Sequence, residues 1–250
     1  MANFCITLIK KAFFSYQLIS VIYCFLFLQM HSSNLIEFYR SLPLPVVPKG
    51  FEILHPQLSP EVMRVVRKFF IKYYSDNRTR KLLLGINPGR HGAGMTGINF
   101  TAPRQLTNNC EIDHPWGNSS ELSAEFIYAM IDQYGGSEKF YSNFFIGAVS
   151  PLGYIKDGKN INYYDDKNLQ KAVTPFIIET IQKQLSMGLS SEVCFCIGGE
   201  KNYKFLTALN DKHKLFQKII PLAHPRFIMQ YRRKKMDKYI HQYLDALHTC

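Results

Sequence analysis

The hydrophobic positions of this 250-residue chain change period along its length, and the change separates helices from strands. Val62, Val65, Val66, Phe69, Phe70 and Tyr73 form a stripe at helical spacing. Ahead of them, Ser59-Pro60-Glu61 supplies an N-cap, an N1 proline and an acid in the first turn. The spacing predicts a helix there. Lys81 to Asn87 is a short apolar run with no helical period and reads as a buried strand. A second helix is expected from about Ser119 to Tyr134, ended by Gly135-Gly136, and Phe144 to Val149 gives the next strand. Thr174-Pro175 opens a predicted helix bearing Ile177, Ile178, Ile181 and Leu185. Glu192 to Ile197 then reads as strand, Gly199 to Leu209 as helix and Phe216 to Ala223 as the last strand. Met236, Tyr239, Ile240, Tyr243, Leu244 and Leu247 mark a final amphipathic helix.

The order βαβαβαβα predicts an α/β protein of three layers, α/β/α, with a four-stranded parallel sheet covered on both faces by helices. A chain of this length with 46% hydrophobic residues can bury one full core, so a single domain is expected. The first 29 residues differ in kind. Lys10 and Lys11 precede a charge-free run from Leu18 to Leu28 that resembles a signal-peptide h-region or a short anchor, with no clear small-x-small cleavage site after it. We read residues 1–29 as an upstream extension and residues 30–250 as the functional domain, not membrane-bound and placed in the cytoplasm or nucleus.

Charge and cysteine usage narrow the function. The formal charge of +11, from 30 Lys and Arg against 19 Asp and Glu, suits a polyanionic partner such as nucleic acid or an anionic membrane surface, or else a basic solvated surface. Dropping Lys10 and Lys11 leaves that excess in place. Of six cysteines, only Cys194 and Cys196 are close, in a predicted strand and without a second pair at ligand spacing. They read as small core residues of a protein in a reducing compartment, with no metal site.

The predicted strands end in Asn87-Pro88-Gly89, Ser150-Pro151-Leu152-Gly153, Gly198-Gly199 and His224-Pro225-Arg226. In a parallel sheet these mouths share one edge, where open α/β folds keep their sites. Gly89, Gly92, Gly94 and Gly97 would let backbone N–H groups turn toward a phosphate, or would serve a flexible loop. Gly92 to Gly97 satisfies G-x-G-x-x-G, but five residues beyond Asn87 and running into Asn99, Thr101 and Pro103 rather than opening a helix. Gly89 to Thr96 nearly fits a P-loop, with Met95 where the lysine must be. Neither nucleotide motif holds. Downstream, Phe227, Ile228, Met229 and Tyr231 precede Arg232-Arg233-Lys234-Lys235, at about the start of the last helix. Four cations there oppose the helix dipole unless an anion such as a phosphodiester sits nearby. Phe227, Ile228 or Met229, if exposed, could wedge into a duplex; the alternative is that all three anchor the loop in the core.

Together these residues resemble the uracil-DNA glycosylase superfamily, and most closely its single-strand-selective monofunctional (SMUG-type) branch. The resemblance runs from about Pro48 to Leu247 and is sharpest at Gly85-Ile86-Asn87-Pro88-Gly89, Thr96-Gly97-Ile98-Asn99-Phe100 and His224-Pro225-Arg226. It implies a Rossmann-like fold without metal or organic cofactor. By the same resemblance, Asn87 positions the hydrolytic water, Phe100 stacks on the flipped base, and His224 donates a hydrogen bond to the carbonyl where charge develops. Gly89 leaves room at the pyrimidine 5-position. DNA with a damaged base, single- or double-stranded, is the expected partner. Pro88, Gly92, Gly198, Arg226, Phe227, Arg232, Arg233 and Lys234 are the expected contacts, and a monomer suits such an enzyme. One position departs from the pattern. Ala148 stands where the branch commonly has a base-reading asparagine, three residues before Pro151, so uracil selection should weaken and xanthine or hypoxanthine becomes plausible. The alternative class is a non-catalytic single-stranded nucleic-acid binder using the same surface.

Overall fold

The protein, a computed structural model, is described over residues 31–249; the extension read at residues 1–29 lies outside the described residues. After helix α1 (His31–Arg40) and strand β1 (Phe51–Leu54), helix α2 spans Pro60–Tyr74. Its N-cap is Ser59, whose side chain accepts from the Val62 amide, and the predicted apolar stripe is buried along its length. Strand β2 (Arg80–Gly85) follows, with Leu82, Leu83 and Leu84 wholly inaccessible to solvent. Burial on both faces explains the unbroken apolar run.

Beyond β2 come two short helices, α3 (Ala93–Thr96) and α4 (Pro103–Asn108), then α5 (Leu122–Tyr134) and α6 (Ser137–Asn143), which leads into β3 (Phe144–Ala148). Strands β4 (Gly153–Lys156) and β5 (Lys159–Ile161) are followed by α7 (Lys167–Ser186), β6 (Leu189–Ile197) and α8 (Gly199–His213). The chain closes with β7 (Lys218–Leu222), α9 (Pro225–Tyr231), a 3-10 turn at Arg233–Lys235 and α10 (Met236–His248). The main sheet is parallel in the order β3-β2-β6-β7, with Leu83 facing Ile146 on one side and Phe195 on the other. The four-stranded parallel sheet expected from the sequence is present. Cys194 and Cys196 are buried on β6, where burial raises both thiol pKa values.

Several expectations are corrected. The helix expected to open at Thr174-Pro175 begins seven residues earlier, where Asp166 caps the amides of Asn168 and Leu169, and Pro175 lies inside it. Pro175 and Lys171, whose carbonyl loses its helical donor to the proline, are both exposed, so water can satisfy that carbonyl. A helix does occur within the glycine run, the single turn α3. The stretch after His224, read as a loop, is α9; the basic residues fall on the turn between it and α10.

A second sheet, antiparallel in the order β1-β4-β5, was not legible from periodicity because its strands are three or four residues long and half exposed. Asp157-Gly158 joins β4 to β5 with positive φ at both residues, the Asp-Gly hairpin signal that could have revealed it. This sheet packs on the β2 mouth, where a side chain at Gly153 would collide with the Pro88 carbonyl. Among the described residues, no helix is long and apolar enough to cross a membrane.

Candidate active site

The mouths of the parallel strands open into a cavity of about 810 Å3. Asn87, Pro88 and Gly89 enter it from β2, Ala148 from β3, Gly198 from β6 and His224 from β7. Phe100, Arg226 and Phe227 complete the group of sequence-selected residues that the fold brings together. Gly92, Arg232, Arg233 and Lys234 do not line it.

Asn87 is oriented by the loop after β5. Its Oδ1 accepts from the Tyr163 amide at 3.1 Å, and its Nδ2 is turned to the carbonyls of Ile161 (3.3 Å) and Pro88 (3.4 Å). An amide N–H can be met only by oxygen, so the Tyr163 bond decides which way the carboxamide faces. The second lone pair of Oδ1 remains for a water. Tyr163 is itself buried and donates to Asn202 Oδ1 at 2.6 Å, and the Asn202 amide reaches the Gly85 carbonyl at 3.5 Å. This brace between the hairpin, α8 and β2 joins residues that the motif reading did not single out.

Phe100 occupies the left-handed region at φ 53°, an unusual conformation for a bulky residue. Its ring lies so close to Gly85 that a Cβ there would sit 2.7 Å from Phe100 Cε2. Glycine at 85 therefore gives the ring its seat, and the ring's tilted partner is His224, with centroids 6.4 Å apart.

His224 caps α9 through its side chain, Nδ1 accepting from the Arg226 amide at 3.1 Å. That bond assigns the proton of the neutral ring to Nε2. Burial and then the Arg226 charge lower its pKa to about 4, so at neutral pH the ring is an uncharged donor. Tyr243 of α10 donates to the Ala223 carbonyl and tethers the chain just before His224.

The rim sorts the wedge candidates. Ile228 and Met229 are buried and anchor α9, correcting the reading that either could be exposed. Phe227 is 42% exposed and Tyr231 66% exposed, their rings 5.7 Å apart on adjacent turns, with the Arg232 guanidinium 5.5 Å from the Phe227 ring. Arg232, Arg233 and Lys234 are exposed and take no part in the ion pairs among the described residues. At Gly92, a Cβ would stand 2.5 Å from the Glu121 carboxylate, whose pKa burial raises against the pull of Arg226. The protein's own carboxylate, and not open space for a phosphate, faces that glycine. Among the described residues no cluster of His, Cys, Asp or Glu could hold a metal ion.

Fold and cavity together define an α/β protein whose site sits at the mouths of its parallel strands and offers an amide, an aromatic ring and a neutral imidazole. The family model of the Uracil DNA glycosylase superfamily matches residues 71–248. The chain belongs to that superfamily. The crystal structure of wild-type SMUG2 from Pedobacter heparinus is similar to it at a TM-score of 0.85, with 44% sequence identity over 88% of this chain and 97% of that one, which supports the SMUG-type branch. No curated protein matches the chain.

Proposed function

We propose that this chain is a monofunctional glycosylase that hydrolyses the N-glycosidic bond of uracil and related damaged bases in DNA, among them 5-substituted uracils, xanthine and hypoxanthine. Family membership supports the coarser statement, a hydrolytic glycosylase of the uracil-DNA glycosylase type. The observation that carries the residue roles is the Arg226 amide bond to His224 Nδ1, which leaves Nε2–H as the donor of an uncharged ring in the same cavity as Asn87 and Phe100.

The chemistry follows from where charge appears. Water adds to C1′, the C1′–N bond breaks and its electron pair leaves with the base, so negative charge spreads onto the carbonyl beside the glycosidic nitrogen of a pyrimidine, or onto N3 of a purine. A donor held ready at that acceptor lowers the barrier without itself reorganising. His224 Nε2–H is that donor. Asn87 Oδ1 holds the attacking water by its remaining lone pair; the water's proton passes to solvent and the departing base is protonated in turn. Phe100 stacks on the base once it has left the helix. Phe227, with Tyr231 behind it, fills the gap in the stack, and Arg226, Arg232, Arg233 and Lys234 hold the backbone on either side. Pro88 and Gly198 line the wall beside it, and Ala148 presents a methyl group where a reading amide would discriminate uracil from cytosine.

Labelled oligonucleotides carrying uracil, 5-hydroxymethyluracil, xanthine or hypoxanthine, cleaved by alkali at abasic sites, test this reading. Asn87→Ala should keep much of the DNA affinity and lose excision by about 100-fold or more. A wild-type protein that binds these oligonucleotides and excises nothing would instead be a nucleic-acid-binding protein without catalysis.

A further inference from the structure

Three side-chain amides in the cavity, Asn160, Asn162 and Gln230, have no part in the reaction just derived and make no side-chain hydrogen bond among the described residues. Of the side-chain amides there, Asn87 is engaged with the loop after β5, and Asn99 donates to the Tyr39 hydroxyl at 3.3 Å. Of the three, the exposed Asn160 of β5 is the one placed against the Asn87-Pro88-Gly89 corner. Its backbone is paired opposite Ile155, while its carboxamide makes no hydrogen bond among the described residues. Its Nδ2 stands 3.5 Å from the point where a Cβ on Gly89 would project, so it overhangs the glycine that follows Asn87-Pro88. The next residue, Ile161, accepts from Asn87 itself. Asn160 is therefore held in fixed relation to the amide that serves the attacked carbon.

Ring geometry states what Asn160 would face. His224 comes from β7, whereas the hairpin bearing Asn160 packs at the β2 mouth, with β6 between those two strands. A base whose glycosidic bond points at Asn87 and whose carbonyl meets His224 would turn its far edge toward the hairpin that bears Asn160. If His224 holds the carbonyl beside the glycosidic nitrogen, the position across a pyrimidine ring from that carbonyl is C5. In a purine, the edge away from N3 carries N7. Uracil has only C–H at C5; 5-hydroxymethyluracil offers a hydroxyl oxygen there, and hypoxanthine and xanthine offer the N7 lone pair. Ala148 supplies no polar reader of its own.

Resting on the glycosylase reading above, we propose that Asn160 is a specificity-determining residue, its Nδ2 donating to an acceptor on the base edge opposite His224 and so favouring deaminated purines and 5-hydroxymethyluracil over uracil. The test compares kcat/KM for wild type, Asn160→Ala and Asn160→Asp on oligonucleotides carrying each of the four bases. Both variants keep the β4–β5 backbone pairing, and Asn160→Asp keeps the shape while removing the donor. Loss of one such hydrogen bond should lower kcat/KM about tenfold on hypoxanthine, xanthine and 5-hydroxymethyluracil, and leave uracil within about twofold. An equal fall on all four bases, a fall on uracil alone, or no change overturns the proposal while wild-type excision keeps the glycosylase reading intact. Absence of excision by the wild type overturns both.

Discussion

At the scale of single residues, His224 caps a helix with the same ring to which the proposed mechanism gives the donor role. The same Nδ1 that begins α9 obliges Nε2 to carry the proton, so helix initiation prepares the donor. Its pKa of about 4 lies below the unfolded value of 6.5. As pH falls through that window the unfolded chain takes up a proton that the native ring refuses; the stability is present above about pH 6.5 and is lost toward pH 4. Asn at 224 keeps a cap acceptor without a titrating ring. We expect the Tm of wild type to fall more steeply between pH 6.5 and 4 than that of His224→Asn, and equal slopes would sink the assignment. The same substitution should lower kcat for excision about 100-fold with DNA affinity retained, because the shorter amide, spent on the cap, no longer reaches the base carbonyl. That His224 and Asn87 stand at strand ends on one cavity was legible in the sequence. The Tyr163 amide that orients Asn87 was not, because it comes from 76 positions away and a backbone N–H leaves no mark in sequence.

At the scale of elements, α9 shows how a short helix divides its residues between core and surface. Phe227, Ile228 and Met229 are adjacent in sequence and equally apolar, so sequence alone offers them as equivalent wedges. The helix turns Ile228 and Met229 onto the core, where α9 packs on α5, and leaves Phe227 and Tyr231, four positions apart, on one outward face. Phe227→Ala should therefore reduce excision from duplex DNA about tenfold while excision from single strands, which need no unstacking, changes little. A uniform effect on both substrates would assign Phe227 to backbone binding instead. The Asp157-Gly158 hairpin makes the complementary point. Its turn is readable, yet the three-residue strand after it acquires meaning only when it meets the Pro88-Gly89 corner and presents Asn160.

At the scale of the whole molecule, the sheet edge that carries the site depends on an anchor at its opposite end. Arg80, which opens β2, is fully buried, stacked 4.7 Å from the centre of the Tyr74 ring. It donates through Nε to the Tyr141 carbonyl, through Nη1 to Asp76 and the Arg78 carbonyl, and through Nη2 to Asp76 and the Tyr73 carbonyl. Burial would raise the Asp76 pKa, but the hydrogen bonds and charges of Arg80 and Arg78 carry it below its usual value. Arg80→Met leaves Asp76 and the buried carbonyls without that donor and should cost about 3 kcal/mol in urea unfolding; a loss under about 1 kcal/mol would mean that water replaces the guanidinium. Nothing in the local pattern separates Arg80 from an exposed strand-start cation, since its five acceptor contacts are contributed by α2, the loop after it and α6. The sequence by itself determined the parallel sheet, its main helices and the residues at its mouths, because periodicity, caps and turn residues act over a few positions. Only the tertiary structure decided which apolar neighbour faces out, how the Asn87 amide points and which free amide overlooks Gly89. Those are outcomes of packing between segments far apart in the chain, and local propensity carries no information about them.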